Sequence, residues 1–252
     1  MIPKVIHYCW FGRSSLPELA TKCIASWKKY FPDYEIREWN EENFDVNQIP
    51  YTKEAYEAQK YAFVSDYARF WIIYHLGGLY FDTDVEVIRS MDDIVSEPFM
   101  GFGRDLDEKK ASLMSEIGLG VSPGLGFGAN QGNELLRELL SIYSSLHFVL
   151  KDGSFNPYTI VYYTSKLLED KGMKCKTGIQ NVAGFTIYPA EYFAPIHFVT
   201  RRLHITENTR TIHHYAASWK EGQSYWKKRI QKILPEFLLL YYHNWKNRDR
   251  LL

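Results

Sequence analysis

The sequence predicts an α/β protein in which helices pack on both faces of a mixed β-sheet. Roughly the first forty residues follow the order strand, helix, strand, which is how this class commonly begins. The chain has 252 residues, of which 46% are hydrophobic and 16% aromatic, so it can bury one substantial core. We therefore expect a single domain over residues 1–252, with no internal repeat.

The opening strand, helix and strand each carry a local signal. The segment "KVIHYCWF" is short, apolar and rich in aromatic and β-branched residues, as expected for a buried strand. From Pro17 to Tyr30 apolar residues recur at helical spacing, and Pro32 with Asp33 closes this helix. The segment "YEIREW" then predicts the second strand.

A long helix and a further strand are predicted next. Apolar residues recur at helical spacing from Lys53 to His75, and the pair of glycines that follows supplies a left-handed stop. The segment "LYFDTDVEV" then alternates apolar and polar residues, as a half-buried strand does. In such a strand Asp82, Asp84 and Glu86 would share one face, which needs either open solvent or a cation.

The second half of the chain has weaker signals. The glycine-rich segment "GLGVSPGLGFGANQG" predicts a strand and loop before a helix from Asn133 to Leu146, and "FTIYPAEYFAP" predicts another strand and turn. The glycine spacing matches neither the P-loop nor the dinucleotide fingerprint. Residues 225–252 form a basic, aromatic tail that we expect to be helical, either packed with its charges in water or in peripheral contact with a membrane.

Charge, cysteine content and hydropathy exclude several classes of function. The 30 basic and 30 acidic residues give a net charge of zero, so no overall field attracts nucleic acid. The 3 cysteines are too few and too scattered for a disulfide framework or a zinc cluster, which is typical of a reducing compartment. No apolar run approaches the roughly 20 residues that span a bilayer. We therefore expect a cytoplasmic protein, soluble or peripheral at the inner face of the membrane.

The two aspartates of "DTD" are the strongest chemical signal. Asp82 and Asp84 follow a helix and a glycine turn, so a rigid element holds both carboxylates. Hard divalent cations such as Mn²⁺ or Mg²⁺ bind carboxylate oxygens and share their remaining positions with substrate phosphates. Two interpretations stay open at this point, a metal site and the solvated edge of a sheet.

A second pair lies one helix upstream. Asp66 and Arg69 are three residues apart in the predicted helix, so they share a face and can interact. They form either a helix-surface ion pair, worth about 0.3 to 0.5 kcal/mol, or a carboxylate and a guanidinium presented to the hydroxyls of a bound sugar. Their place just before the DTD segment favours the second interpretation.

Four segments in this order resemble the DXD-bearing glycosyltransferases of family 32: "IPKVIHYCWFG", "SWKKYFPDYEIREWN", "YAFVSDYARFWIIYHLGGLYFDTDVEV" and "IHHYAASW". That family includes small enzymes of bacterial capsule synthesis and is similar to the glucosyltransferase domains of large bacterial toxins. The resemblance covers roughly the first ninety residues densely, then one later motif. It implies a Rossmann-like GT-A fold and a metal-dependent, retaining transfer of a hexose from a nucleotide-diphosphate sugar. The acceptor would be a glycan or lipid-linked oligosaccharide of capsular or surface polysaccharide.

The resemblance also implies roles for individual residues. Trp10 matches an aromatic residue that stacks on the nucleotide base, and Asp66 and Arg69 match contacts to the donor sugar. Asp82 matches a contact to the ribose and sugar, and Asp84 matches the acid that binds the metal directly. We expect Asp66, Arg69, Asp82 and Asp84 to carry the transfer, with Asp82 beside Asp84 at the metal.

The later motif "HHYAASW" matches a carboxy-terminal segment that closes over the diphosphate. His214 is the expected second metal ligand, and Ser218 and Trp219 are expected to contact the metal or the phosphates. The toxin domains have a glutamate in this segment where this chain has histidines. The choice between His213 and His214 therefore stays open.

The expected donor is a UDP-hexose ahead of GDP-mannose, although no single position separates the two. An aspartate-nucleophile phosphohydrolase is one alternative, because its first motif is also a strand that ends in D-x-D. A non-catalytic sugar-binding module is the other, given 19 tyrosines and 7 tryptophans. The phosphohydrolases carry that motif near the amino terminus with Thr or Val two residues after the second Asp, whereas this chain has Glu86 there after a long preceding segment. A sugar-binding module does not account for Asp66 and Arg69 beside the two aspartates.

Overall fold

A computed structural model describes residues 1–103, 120–174, 178–197 and 200–216. Within these ranges the chain forms an α/β fold with a seven-stranded mixed sheet. In chain order the elements are β1 Val5–Cys9, α1 Glu18–Tyr30, β2 Glu35–Trp39, α2 Pro50–Glu57, α3 Tyr61–Leu76, β3 Gly78–Tyr80, β4 Val85–Val87, β5 Phe99–Gly101, β6 Phe127–Ala129, α4 Glu134–Ser144, α5 Ile160–Asp170, β7 Gln180–Val182, β8 Phe185–Tyr188, α6 Ala190–Phe193 and β9 Thr211–His213.

The main sheet has the strand order β2-β1-β3-β6-β5-β8-β7. Strand β1 pairs in parallel with β2 and β3, and β5 pairs in parallel with β8, whereas the other neighbours are antiparallel. The carboxyl ends of β1, β2 and β3 therefore meet at one edge of the sheet, which is where ligands bind in open α/β sheets. Strands β4 and β9 form a separate antiparallel ribbon.

Most of the predicted elements near the amino terminus are confirmed. Strands β1 and β2 and helix α1 lie where the pattern placed them, as do α4 and β8 later in the chain. Helix α1 buries Ala20, Cys23 and Trp27, as its apolar spacing predicted. The indole of Trp27 also donates a hydrogen bond to the carbonyl oxygen of Val85 at 2.7 Å. Helix α1 is therefore tied to the chain just after the two aspartates.

The predicted long helix from Lys53 to His75 is wrong, because the segment forms two helices. Gln59 has φ of +58°, the left-handed conformation that ends helices, and the amide of Lys60 bonds back to the carbonyl of Ala55 at 2.8 Å. The sequence has no glycine or proline at this break, so periodicity gave no sign of it. The predicted stop at the carboxyl end is confirmed by Gly77, which has φ of +68°.

The predicted continuous strand through "DTD" is also wrong. Strand β3 ends at Tyr80, and a turn closed by the amide of Val85 and the carbonyl of Asp82 (3.0 Å) leads into β4. Strand β4 then pairs with β9 outside the main sheet. Aspartate is unfavourable inside strands, and here the turn lets Asp82 reach Arg69 and Asp84 reach His213. Glu86 consequently does not share a face with the aspartates.

Several elements and predictions remain to be placed. Helix α5 and strand β5 had no sequence-based prediction. None of the helices in the described ranges is long and apolar enough to cross a membrane. The predicted tail, residues 225–252, lies outside the described residues, so its helical character and its place in a single domain stay predictions.

Candidate active site

Asp82 and Asp84 lie in the turn that follows β3, at the edge where β1, β2 and β3 end. The turn packs against the 3-10 turn Pro123–Leu125, and the amide of Asp82 donates to the carbonyl of Gly124 at 3.3 Å. A Cβ atom on Gly124 would collide with Oδ2 of Asp82 and would lie 3.1 Å from Nη1 of Arg69. A glycine at this position is what allows the two turns to pack this closely.

Arg69 is the centre of a buried polar network beneath Asp82. Its Nη2 lies 3.0 Å from Oδ1 of Asp66 and its Nη1 lies 3.4 Å from Oδ1 of Asp82. Its Nε donates to the carbonyl of Ser65 at 2.9 Å, and the guanidinium lies 4.8 Å above the ring of Tyr80. Burial by itself would lower the pKa of Arg69, but Asp82 and the other acidic neighbours outweigh burial, so the pKa is raised above its ordinary value. Arg69 is therefore a fixed positive charge.

Asp66 and Arg69 are not the surface ion pair that remained open from the sequence. Asp66 is 8% exposed and Arg69 is 4% exposed. Oδ2 of Asp66 also accepts a hydrogen bond at 3.4 Å from the amide of Ile160, the first residue of α5. Burial raises the pKa of Asp66 to about 7, against the opposing charge of Arg69. In this arrangement Asp66 supports Arg69 from beneath, while the Asp82 side chain is 29% exposed.

Asp84 is held by the end of β9 and by the segment that follows it. Its Oδ1 lies 3.1 Å from Nε2 of His213, and its Oδ2 accepts from the amide of Ala216 at 2.8 Å. The carbonyl of Asp84 accepts from the amide of His214 at 3.0 Å. Burial would raise the pKa of Asp84, but His213 and the Ala216 amide outweigh it and lower the pKa to about 2. Asp84 is therefore ionised over the whole physiological pH range.

Asp82, Asp84 and His213 can together hold a metal ion. One ligand atom from each residue lies within 4.8 Å of the others. Two carboxylates and an imidazole are a suitable donor set for a divalent cation that keeps open positions for substrate oxygens. Nδ1 of His213 is buried and has no hydrogen-bond partner in the described part of the chain. The cluster is a candidate divalent-metal centre, and its geometry fits the group that the DXD resemblance implies.

The structure brings His213, and not His214, to the aspartates. Consecutive residues at the end of a strand point to opposite sides, and Nε2 of His214 lies 2.8 Å from Oε2 of Glu86. Glu86 is in turn paired with Nζ of Lys22 at 3.0 Å. The sequence motif alone could not choose between adjacent histidines, because the choice depends on which face of β9 meets the turn after β3.

Trp10 borders a cavity of about 310 Å³ at the same edge of the sheet. The indole Nε1 donates to the carbonyl of Ser14 at 2.7 Å, which fixes the orientation of the ring. The other lining residues come from the end of β2 and from the loops after β1 and β2, and they are mainly charged or polar: Arg13, Ser14, Glu38, Asn40, Glu41 and Glu42. Sequence reasoning missed these acids, although "EWNEEN" covers the end of the parallel strand β2 and the loop after it.

Two further outcomes concern residues near the aspartates. The hydroxyl of Tyr80 donates to Oδ1 of Asp82 at 3.1 Å, a contact that the sequence pattern did not single out. Ser218 and Trp219, which were expected to contact the metal or the phosphates, lie outside the described residues. Their roles stay predictions.

Comparison with known proteins identifies the region that holds the two aspartates. Residues 17–100 match the family model described as the glycosyltransferase sugar-binding region containing the DXD motif. Inositol phosphoceramide mannosyltransferase 3 of Schizosaccharomyces pombe is 32% identical over 101 residues, which are 38% of this chain and 28% of that protein. Inositol phosphoceramide mannosyltransferase 1 of the same organism is 29% identical over 107 residues, which are 38% of this chain and 32% of that protein. The chain thus spans less than a third of the length of these relatives.

One solved structure shares the overall fold. The structure of PaToxG glycosyltransferase superposes with a TM-score of 0.51 at 16% sequence identity, covering 68% of this chain and 70% of that chain. This likeness concerns the fold alone. It confirms the predicted mixed-sheet GT-A architecture.

Proposed function

We propose that the chain is a glycosyltransferase, because residues 17–100 match the model of the glycosyltransferase sugar-binding region that contains the DXD motif. The reaction is the retaining transfer of a hexose from a nucleotide-diphosphate sugar to a glycan or lipid-linked acceptor. Retention, and a role in capsular or surface polysaccharide synthesis, rest on the resemblance alone.

The observation that carries this proposal is the cluster of Asp82, Asp84 and His213 at the carboxyl edge of the sheet. The cavity beside Trp10 opens at the same edge, because β1 and β3 are parallel neighbours. A nucleotide with its base at Trp10 would extend its diphosphate toward the aspartates. This arrangement is typical of ligand sites in open α/β sheets.

The chain's own residues have distinct tasks in this proposal. Arg69 holds Asp82 in place through the 3.4 Å ion pair, and Asp66 compensates part of the charge of Arg69. The Ala216 amide and His213 keep Asp84 ionised and oriented. A divalent cation at this site, Mn²⁺ or Mg²⁺, would stabilise the negative charge that develops on the departing diphosphate.

The identities of the donor and the acceptor are proposed from the resemblance and from the names of the curated relatives. The resemblance favours UDP-hexose over GDP-mannose, whereas the two curated relatives are named as mannosyltransferases, so both donors belong in a screen. Those relatives are also named for inositol phosphoceramide, a lipid, which supports a lipid-linked acceptor. The cytoplasmic location and the membrane contact of residues 225–252 stay predictions.

The first experiment measures thermal stabilisation of the purified chain by UDP and by GDP, each with and without Mn²⁺. A glycosyltransferase is expected to be stabilised by at least one of them in a metal-dependent way, whereas a phosphohydrolase or a sugar-binding module is not. Asp84→Asn should lose the metal-dependent shift. Asp33→Asn is the matched control, because Asp33 is exposed and its ion pair within the described ranges is with Lys4 at 3.7 Å.

The second experiment follows hydrolysis of individual sugar nucleotides, which reports donor choice without knowledge of the acceptor. Turnover of one sugar nucleotide, reduced at least tenfold by Asp84→Asn, is the expected result. A tenfold loss corresponds to about 1.4 kcal/mol of transition-state stabilisation. If no sugar nucleotide is hydrolysed and neither diphosphate stabilises the chain, the proposed function is wrong.

A further inference from the structure

Arg201 is a partly buried cation that forms no ion pair among the described residues. Its Nη2 donates to the carbonyl of His214 at 3.1 Å, and its guanidinium lies 5.3 Å from the centre of the Tyr215 ring. These contacts engage one of the five N–H donors of the guanidinium and one of its faces. No sequence motif singled out this residue.

The position of Arg201 is costly in two ways. Burial lowers the pKa of Arg201, and the nearby Tyr215 and Asp84 only partly offset this effect. A charge that is withdrawn from water without a paired anion destabilises the protein. The backbone of Arg201 also has φ of +58°, a conformation that residues other than glycine seldom adopt. Costs of this kind persist where a site needs them, so the observed strain points to a function.

Arg201 contacts the segment that carries His213. The amide of His214 donates a hydrogen bond to the carbonyl of Asp84, and the carbonyl of His214 accepts one from Arg201. The Tyr215 ring contacts both Arg201 and His213, and its centre lies 4.3 Å from the imidazole in an edge-to-face arrangement. The guanidinium is therefore at the margin of the cluster formed by Asp82, Asp84 and His213.

The other guanidinium near the aspartates is already committed. Arg69 contacts both Asp66 and Asp82 and is 4% exposed, so it has little capacity left for a ligand anion. The guanidinium of Arg201 has N–H donors that make no hydrogen bond within the described residues, and its planar geometry suits paired hydrogen bonds to two phosphate oxygens. A ligand anion beside Asp84 would supply the anionic partner that Arg201 lacks in the part of the chain that the structure describes.

We propose that Arg201 binds the diphosphate of the nucleotide-sugar donor, beside the cation held by Asp82, Asp84 and His213. This inference rests on the proposed function, since it takes a nucleoside diphosphate as the ligand. Arg201 binds the diphosphate of the donor. As the bond between the anomeric carbon and the phosphate oxygen breaks, the acceptor hydroxyl oxygen bonds to that carbon and its proton passes to a phosphate oxygen. The bonding electron pair stays on the leaving nucleoside diphosphate, and Arg201 offsets the negative charge that develops there.

The test compares Arg201→Met and Arg201→Lys with the unmodified full chain by calorimetry. The probes are UDP and GDP, each in Mn²⁺, and the monophosphates UMP and GMP. Arg201→Met is expected to lower the affinity for the diphosphates at least tenfold and the affinity for the monophosphates much less. The diphosphate affinity of Arg201→Lys is expected to lie between those of Arg201→Met and the unmodified chain. Arg202→Met is the matched control, because it removes the adjacent, exposed cation. This control should leave affinity within twofold.

Two further measurements separate ligand binding from bracing. Mn²⁺ affinity without nucleotide, followed by electron paramagnetic resonance, should stay unchanged in Arg201→Met, whereas a purely structural role would lower it in parallel. Arg201→Gly relieves the positive φ, so its melting temperature should equal or exceed that of the unmodified chain while diphosphate affinity falls as in Arg201→Met. Diphosphate affinity that survives Arg201→Met, or Mn²⁺ affinity that falls with it, overturns this inference alone. Failure of the unmodified chain to bind either diphosphate overturns the proposed function as well.

Discussion

His7 should make the stability of this protein depend on pH in a way that can be assigned to one side chain. The imidazole is 1% exposed, and its Nδ1 accepts a hydrogen bond from the indole Nε1 of Trp39 at 3.0 Å. Its Nε2 lies 3.1 Å from the carbonyl of Gly77, to which it must donate. Both nitrogens are thus engaged by the neutral ring, which links β1 to the end of α3 just ahead of the aspartate turn.

The size of the effect follows from the pKa of His7. Burial lowers this pKa from 6.5 to about 4, although the hydrogen bond to Gly77 opposes the change. Below pH 6.5 His7 takes up a proton in the unfolded chain but stays neutral in the folded chain. The free energy of unfolding therefore decreases as the pH falls. His7 therefore leaves the free energy of unfolding unreduced above pH 6.5 and lowers it progressively toward pH 4. The total loss is about 3 kcal/mol, at about 1.36 kcal/mol for each pKa unit.

The assay is urea unfolding of the unmodified chain and of His7→Gln from about pH 7.5 down to about pH 4.5. Glutamine can place an amide donor and an acceptor near the two imidazole nitrogens but does not titrate. The difference in unfolding free energy between the two proteins should shift by about 2.5 kcal/mol across this range, in favour of the variant at low pH. Using the difference removes the titration of other histidines and acids. Parallel pH profiles would refute the assignment of the lowered pKa to His7.

Three further predictions concern the site. His213→Ala should weaken Mn²⁺ binding at least tenfold, whereas His214→Ala should change it less than threefold. Electron paramagnetic resonance titration measures both affinities, and equal losses in the two variants would contradict the assigned ligand set. Gly124→Ala should displace Asp82 by about 1 Å and reduce donor hydrolysis by about 100-fold with little change in melting temperature, and retained turnover would show that the site tolerates the shift. Trp10→Ala should weaken nucleoside diphosphate binding by about 1 to 3 kcal/mol, by analogy with base stacking in nucleic-acid complexes, and unchanged calorimetric affinity would remove Trp10 from the site.

The sequence alone was sufficient for the features that depend on local periodicity and on residue chemistry. The α/β class follows from the alternation of strands and amphipathic helices near the amino terminus, and the helical stop at Gly77 follows from the conformational freedom of glycine. Asp82 and Asp84 could be named as metal-binding candidates because their spacing and residue type suit a divalent cation. None of these inferences requires contacts between distant parts of the chain.

Other features of the site depend on contacts over long sequence distances. The break at Gln59 has no local signal, and the carboxylates of the aspartate turn have their partners on α3 and at the end of β9. Only the pairing of β4 with β9 decides that His213 faces Asp84. Arg201 likewise reaches the cluster through a segment more than a hundred residues after the aspartates. Sequence patterns report the periodicity of one segment, whereas the partner of a charged side chain is set by which segments the folded core brings together.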